Sequence, residues 1–144
     1  MNENLLYTGQ KLTEQFEGCE LTAYQDSGGV LTIGYGHTEG VTQGMTCTQE
    51  QADAWLLGDV QWAVSVVQGA VTVALTQNEF NASVDFVFNV GSANFQSSTL
   101  LKDLNAGDYA LAALQFERWD LAGGQVVAGL LRRRQAEENE FNTP

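Results

Sequence analysis

Glu17, Asp26 and Thr32 combine side-chain types and spacing suited to acid-assisted cleavage of a glycosidic bond. The two carboxylates stand nine residues apart, and the hydroxyl follows six further on. Such cleavage needs one carboxyl that keeps its proton for the leaving oxygen. It needs a second that stays ionised, to help a water attack or to stabilise the oxocarbenium-like state. Glu17 follows Phe16, and apolar surface beside a carboxyl favours its protonated form. Asp26 opens Asp26-Ser27-Gly28-Gly29, a polar turn that suits an ionised carboxylate. Spacing alone favours a plainer reading, because two acids at this separation in so acidic a chain are most often a solvated pair.

The elements that must position these residues follow from local patterns. Thr8 is placed to cap a first helix, with Leu12 and Phe16 on one face and Gly18 just past the end. Residues 22–37 change character. Thr22-Ala23-Tyr24 and Val30-Leu31-Thr32-Ile33 are β-prone about the turn, and Gly34, Gly36 and Gly40 oppose helix. A small antiparallel hairpin or three-stranded sheet is predicted there. Thr48-Gln49-Glu50-Gln51 and Thr76-Gln77-Asn78-Glu79 both have capping-box form. Behind the first, Ala52, Trp55, Leu56, Val60, Ala63, Val64 and Val67 recur at helical spacing. Behind the second, Phe80, Val84, Val87 and Phe88 make a buried face that ends near Gly91. Ser97 or Ser98 opens a short helix over Leu100–Leu104, and Asp108 caps one carrying Leu111, Leu114 and Phe116. A last helix runs from about Val126 to Phe141. Trp55 and Trp62 read as core. The plan is α+β with few strands, gathered near the N-terminus.

A chain of 144 residues suggests one domain, long enough to bury a core without metals or disulfide staples. Six Lys and Arg against eighteen Asp and Glu give a net charge of −12. That balance argues against a nucleic-acid partner, whose phosphates need cations, and against docking on anionic lipid. Cys19 and Cys47 read as two free thiols, with a disulfide the less common alternative, and neither has the spacing of a zinc ligand. The first seven residues have no basic or apolar region of a signal peptide, and no stretch approaches the length of a membrane span.

The run Glu17-Gly18, Ala23-Tyr24-x-Asp26, Gly29-Val30-x-Thr32-Ile33-Gly34-Tyr35-Gly36-His37 closely resembles the active-site signature of phage-type lysozymes, the endolysin muramidases that include the T-even coliphage enzyme. Later blocks resemble the family in the same order: Asn89-Val90-Gly91, Ser98-Thr99-Leu100-Leu101, Arg118-Trp119 and Gly129-Leu130-Leu131-Arg132-Arg133-Arg134. The resemblance covers roughly residues 9–141. It implies a lysozyme-like fold over 1–144, with a small β-hairpin lobe at about 19–47 and a long helix leading to a helical lobe at about 68–144. The N-terminal helix, 1–18, would pack on the helical lobe, and the active-site cleft would lie between the lobes.

The resemblance also implies roles. Glu17 matches the general acid, Asp26 the second carboxylate and Thr32 the hydroxyl that helps place the attacking water. Inversion at the anomeric carbon would follow, with a carboxyl separation of about 6.5–9.5 Å. Asn89, Trp119 and Tyr35 match or adjoin cleft positions that contact sugar; a helix-terminus role for Asn89 and core packing for Trp119 are the competing readings. His37 is the only histidine. Histidine titrates near neutrality, which tempts a catalytic reading, but the resemblance pairs it with Asp59 in a structural role. Arg133 best matches an arginine that braces the acid-bearing helix. A run of three arginines is otherwise usually a solvated helix face, and neighbours about 100° apart cannot all face one way. Cys19 reads as packing rather than as a nucleophile.

The reaction implied is hydrolysis of the β-1,4 bond between N-acetylmuramic acid and N-acetylglucosamine in peptidoglycan, with no metal or organic cofactor. Further expectations are a monomer, no membrane insertion, accumulation in the host cytoplasm, and access to the wall and periplasm through a separate holin. A lytic transglycosylase needs no positioned water, so Asp26 and Thr32 speak against it. A catalytically dead wall-binding module, and an enzymatic domain of a virion tail protein, remain the other readings.

Overall fold

A computed structural model of the chain describes residues 2–144. It divides into two compact units: Gln10–Gln61, and the described residues up to Gly9 together with Trp62–Pro144. The division falls at Gly9, inside the segment expected to hold one N-terminal helix.

The first unit holds α1 (Gln10–Glu17), β1 (Glu20–Gln25), β2 (Leu31–Gly34) and α2 (Gln49–Asp59). α1 starts two residues after Thr8, which does not cap it. Thr8 Oγ1 instead accepts from Asn81 Nδ2 at 2.9 Å, and Thr8 N donates to Asn81 Oδ1 at 3.1 Å. A side-chain amide that satisfies both groups of the threonine outcompetes the local cap. β1 and β2 pair antiparallel with Tyr24 opposite Thr32 and Gln25 opposite Leu31, and the register slips between Glu20 and Tyr24. On the other edge of β1, Thr22 bridges Thr46 and Cys47 N donates to Leu21 O at 2.9 Å. Both sheet alternatives in the sequence thus find a counterpart: a two-stranded hairpin with a short third segment bridged to it.

β2 carries the apolar anchor. Ile33 is fully buried and packs in a unit whose helix α2 buries Ala52 and Leu56. Gly34 makes the approach of strand and helix possible. Its φ is +67°, and a Cβ there would stand 3.2 Å from the Ala52 Cβ. Only glycine takes that backbone conformation without strain. The Thr48 capping box forms as predicted, with Thr48 Oγ1 accepting from Gln51 N and Gln51 Oε1 accepting from Thr48 N.

α3 (Gln61–Ala70) follows α2 after one residue, Val60, which is itself in right-handed helical conformation. The expected helical stretch is therefore written in two segments. The second unit continues with α4 (Gln77–Val90), α5 (Ser92–Gln96), α6 (Thr99–Asn105), α7 (Tyr109–Gln115), a 3₁₀ turn (Phe116–Trp119), β3 (Leu121–Ala122), β4 (Gln125–Val126) and α8 (Ala128–Asn142). α4 is its centre: every residue from Phe80 to Val87 is buried, so the helix is covered all round. Phe86 meets Phe95, Phe116 and Trp119 edge-on. Thr76, Ser98 and Asp108 cap α4, α6 and α7 through their side chains.

Three expectations are corrected here. Strands are not confined to the N-terminal region, because β3 and β4 pair around Gly123-Gly124, whose φ values of +60° and +80° suit a two-residue hairpin turn. Trp62 is not core; it is 45% exposed against Phe88, whereas Trp55 is half-buried. Leu111 and Leu114 are exposed, and α7 buries Ala112, Ala113 and Gln115 instead. A helix this short has one narrow inward stripe, and small residues occupy it.

Candidate active site

Glu17 is the last residue of α1, and Gly18, with φ +67°, breaks the helix immediately after it. The half-buried Glu17 side chain lines a concavity of about 490 Å³ with Gly18, Cys19, Glu20 and Tyr24. The acid therefore stands where a helix gives way to the first strand.

Asp26 follows β1 directly and folds the hairpin turn around its own carboxylate. Its Oδ1 accepts from Gly28 N at 2.8 Å and from Val30 N at 2.9 Å. Its backbone N–H donates to Val30 O at 2.9 Å. Thr32 is 4% exposed on β2, and its Oγ1 donates to the same Val30 carbonyl at 2.9 Å. Val30, through its N–H and its carbonyl, thus links Asp26 to Thr32. Tyr24, the register partner of Thr32, also lines the Glu17 concavity. The structure brings the second carboxylate and the hydroxyl together on one hairpin and joins them to the acid's surroundings through Tyr24.

The turn after β2 is pinned to α2. Ile33 and His37 exchange backbone hydrogen bonds of 2.9 and 2.8 Å. His37 Nδ1 lies 2.8 Å from Asp59 Oδ2, and the imidazole stacks on Trp55 with 4.6 Å between centroids and 3° between planes. Both side-chain partners of His37 come from α2. Tyr35 OH accepts from Gln49 Nε2 at 2.9 Å, and burial pushes its phenol above the usual range. Tyr35 does not line the Glu17 concavity. Cys19 and Cys47 are both half-buried and unbridged, and burial raises the Cys19 thiol.

The remaining expected residues belong to the second unit. Asn89 is exposed near the end of α4. Trp119 is half-buried, its ring edge-on to Phe86, and lines a concavity of about 440 Å³ with Ser97, Ser98, Thr99, Gln115, Arg118 and Leu121. Arg133 makes a two-pronged pair with Asp85 of α4, Nε to Oδ2 at 3.0 Å and Nη2 to Oδ1 at 2.9 Å.

The arginine run is not a solvated face. Only Arg132 is exposed, while Arg133 and Arg134 are buried. Arg134 Nη2 donates to Glu137 Oε2 at 2.9 Å. Its Nε stands 2.7 Å from Glu137 Oε1 at an angle that makes an ion pair without an aligned hydrogen bond. The guanidinium also lies over the Phe86 ring at 5.1 Å. Asp85, Arg133, Arg134 and Glu137 form a buried quartet of balanced formal charge that the sequence reading missed. The i, i+3 and i, i+4 spacings of Glu137 from Arg134 and Arg133 were its visible signals. Burial pushes Glu137 well above the usual carboxylate range, with Asp85 adding to the effect, and burial lowers Arg134. Among the described residues, no three His, Cys, Asp or Glu side chains are grouped to hold a metal ion.

The phage lysozyme family model matches residues 14–137, from the second half of α1 through the hairpin and into α8. The chain belongs to the phage lysozyme family. It is 42% identical over 139 residues to the endolysin of Acyrthosiphon pisum secondary endosymbiont phage 1, covering 94% of this chain and 95% of that one. It is 44% identical over 138 residues to the endolysin of Bacillus phage PZA, where it spans only 54% of the relative's length. Among solved structures, a mutant P22 lysozyme superposes with a TM-score of 0.90 at 38% identity, over 96% of this chain and 98% of that one. The lysozyme-like fold and the small antiparallel sheet expected from the sequence are those of this family.

Proposed function

We propose that this phage lysozyme is an endolysin muramidase that hydrolyses the β-1,4 bond between N-acetylmuramic acid and N-acetylglucosamine in peptidoglycan, both units acting as one catalytic domain. Glu17 donates its proton to the glycosidic oxygen as the bond breaks. Asp26 and Thr32 hold the water that attacks the anomeric carbon from the opposite face, which inverts the configuration. The observation that carries this reading is the link through Val30. The Asp26 Oδ1 is fixed by two backbone N–H groups and Thr32 is bonded to the same residue, so carboxylate and hydroxyl keep one geometry relative to each other. A water held by two groups in fixed register gains the advantage of proximity and orientation. A transglycosylase, which uses no water, has no need of that pairing.

Asn89, Trp119 and Tyr35 are the proposed sugar contacts, Tyr35 through its ring because its hydroxyl is bonded to Gln49. His37 and Asp59 brace the hairpin turn, and Arg133 is the supporting arginine that the family resemblance implies. Peptidoglycan is the macromolecular partner, and the net charge of −12 supports no nucleic-acid partner. The protein acts as a monomer on the wall, reaching it from the host cytoplasm through a holin. These delivery and assembly steps rest on the family resemblance.

The test is turbidity loss of outer-membrane-permeabilised cells with assay of new reducing ends, wild type beside Glu17→Gln. Lysis with new reducing ends, absent in a folded Glu17→Gln variant, is expected, and magnetic resonance of the first product should show the inverted anomer. Release of 1,6-anhydro ends, or no cleavage by the wild type, would overturn the reading.

A further inference from the structure

We propose that the concavity beside Trp119 is a subsite for the peptide stems of peptidoglycan, where Gln115 pairs with an amide of the stem and Arg118 with a carboxylate. The inference rests on the reading of peptidoglycan as the substrate. It names the stems that this chain prefers: those whose carboxylates have not been converted to carboxamides.

Three polar groups lining this concavity have nothing to bond within the protein. Gln115, the last residue of α7, is only 8% exposed, yet its side-chain amide has no hydrogen-bond partner among the described residues. Leaving a buried amide unpaired is costly. The amide is not sealed from solvent, and the concavity of about 440 Å³ that Gln115 lines is where a ligand meets it. Arg118 is exposed on the 3₁₀ turn and forms no ion pair among the described residues, in a chain with eighteen acids to six bases. Among the described residues it is the one charged group lining the concavity. Thr99 adds an exposed hydroxyl, also without a partner among them. Ser97 and Ser98 spend their protons on Ala93 O and Phe95 O, at 3.1 and 2.6 Å. The donors left for a ligand are therefore Gln115, Arg118 and Thr99. Trp119, edge-on to Phe86, and the 52% exposed Leu121 supply apolar wall.

A ligand that fits must offer an amide, an anion and small apolar groups. A glutamine amide matches a peptide bond with one donor and one acceptor. A guanidinium matches a carboxylate with a two-pronged contact. The glycan strand carries hydroxyls and acetamido groups but no carboxylate of its own, because the lactyl acid of N-acetylmuramic acid is joined to the stem. The stem carries all three features: peptide bonds, alanine methyls and carboxylates. It also leaves the glycan at a sugar, so it falls beside a sugar held on Trp119. Bulk charge works the other way. At −12 the chain repels an anionic stem more than an amidated one, so a preference for the anionic stem requires a local cation.

The experiment uses the full chain on two solubilised peptidoglycans that differ only in stem amidation, with kcat/KM read from new reducing ends. Wild type should favour the unamidated form about fivefold, the upper range for an exposed ion pair. Arg118→Gln should bring that ratio to one without a fall in thermal midpoint, because the residue is exposed. Gln115→Leu should lower kcat/KM on both forms about tenfold, mainly through KM. Because that variant alters a buried position, the Gln115 side-chain amide resonances are also followed in wild type. They should shift when a synthetic stem tetrapeptide is added. A wild-type ratio at or below one, or an Arg118→Gln ratio equal to wild type, overturns the proposal and leaves the muramidase reading intact. So does a Gln115 amide that stays unmoved by the tetrapeptide, or that shifts as much with stem-free N-acetylglucosamine oligomers. A wild type that makes no new ends on either peptidoglycan overturns both.

Discussion

Replacing Asp85 by Asn should destabilise the protein by about 3 kcal/mol, toward the low end of the ~3–5 kcal/mol typical for breaking a buried ion pair. The substitution keeps shape and removes one charge from a side chain that is fully buried. Two bonds of 2.9–3.0 Å to Arg133 lose their charge assistance, and one would face an amide donor instead of an acceptor. The loss is limited by Glu137. Its Oε2 lies 3.8 Å from Arg133 Nε, and Asp85 is one cause of its raised protonation range. With Asp85 neutral, Glu137 ionises more readily and replaces part of the missing charge. At about 2.1 cal/mol/K per residue, 144 residues give about 0.30 kcal/mol/K, so about 3 kcal/mol lowers the midpoint by about 10 °C.

The pH dependence carries a sign. An acid raised on folding binds more protons in the native than in the unfolded state, so it makes stability fall as pH rises from its unfolded range through its folded one. In Asp85→Asn, with one cause of the Glu137 shift removed, that fall should be shallower. Circular dichroism melts at pH 5 and pH 7 measure both effects. A midpoint drop below about 3 °C, corresponding to roughly 1 kcal/mol, would refute the reasoning. So would Asp85→Leu with Arg133→Met losing the full sum of the single losses, because coupled partners are not additive.

Other outcomes follow from the hairpin and the charge distribution. Gly34→Ala should cost about 1–3 kcal/mol in urea titration, because it meets both a left-handed φ and the Ala52 Cβ at 3.2 Å; unchanged stability would mean that strand and helix can separate freely. Thr32→Ala should slow product release on peptidoglycan by about a hundredfold with little change in midpoint, if the hydroxyl places the water, and an equal rate would remove it from the mechanism. Residues 10–61 carry one cation, Lys11, against eight carboxylates. Wall lysis should therefore rise as salt is added from about 10 mM to 100 mM, where the screening length shortens from about 30 to 10 Å; a flat profile would show that repulsion from the anionic wall is not limiting.

Local chemistry was legible in the sequence wherever a short stretch decides its own conformation. The capping boxes at Thr48 and Thr76, the caps at Ser98 and Asp108, and the glycine-bounded hairpin all satisfy backbone groups within a few residues. Glu17, Asp26 and Thr32 could be singled out as candidates because the helix end, turn and strand that carry them form one continuous block of sequence. Even the Gly123-Gly124 hairpin had a signal in its paired glycines, lost beside two-residue strands too short to show alternation.

What only the tertiary structure decided were contacts between distant segments. Asn81 takes Thr8 away from its helix, across 73 residues of sequence. Asp85 and Arg133 meet across 48 residues, turning an arginine run that reads as surface into a buried quartet. Gln49 gathers Tyr35, Asp53 and Cys19 around the end of α1. The reason is the same in each case. A sequence window reports which groups need partners, whereas burial decides which of the many chemically suitable partners arrives, and desolvation makes that choice binding.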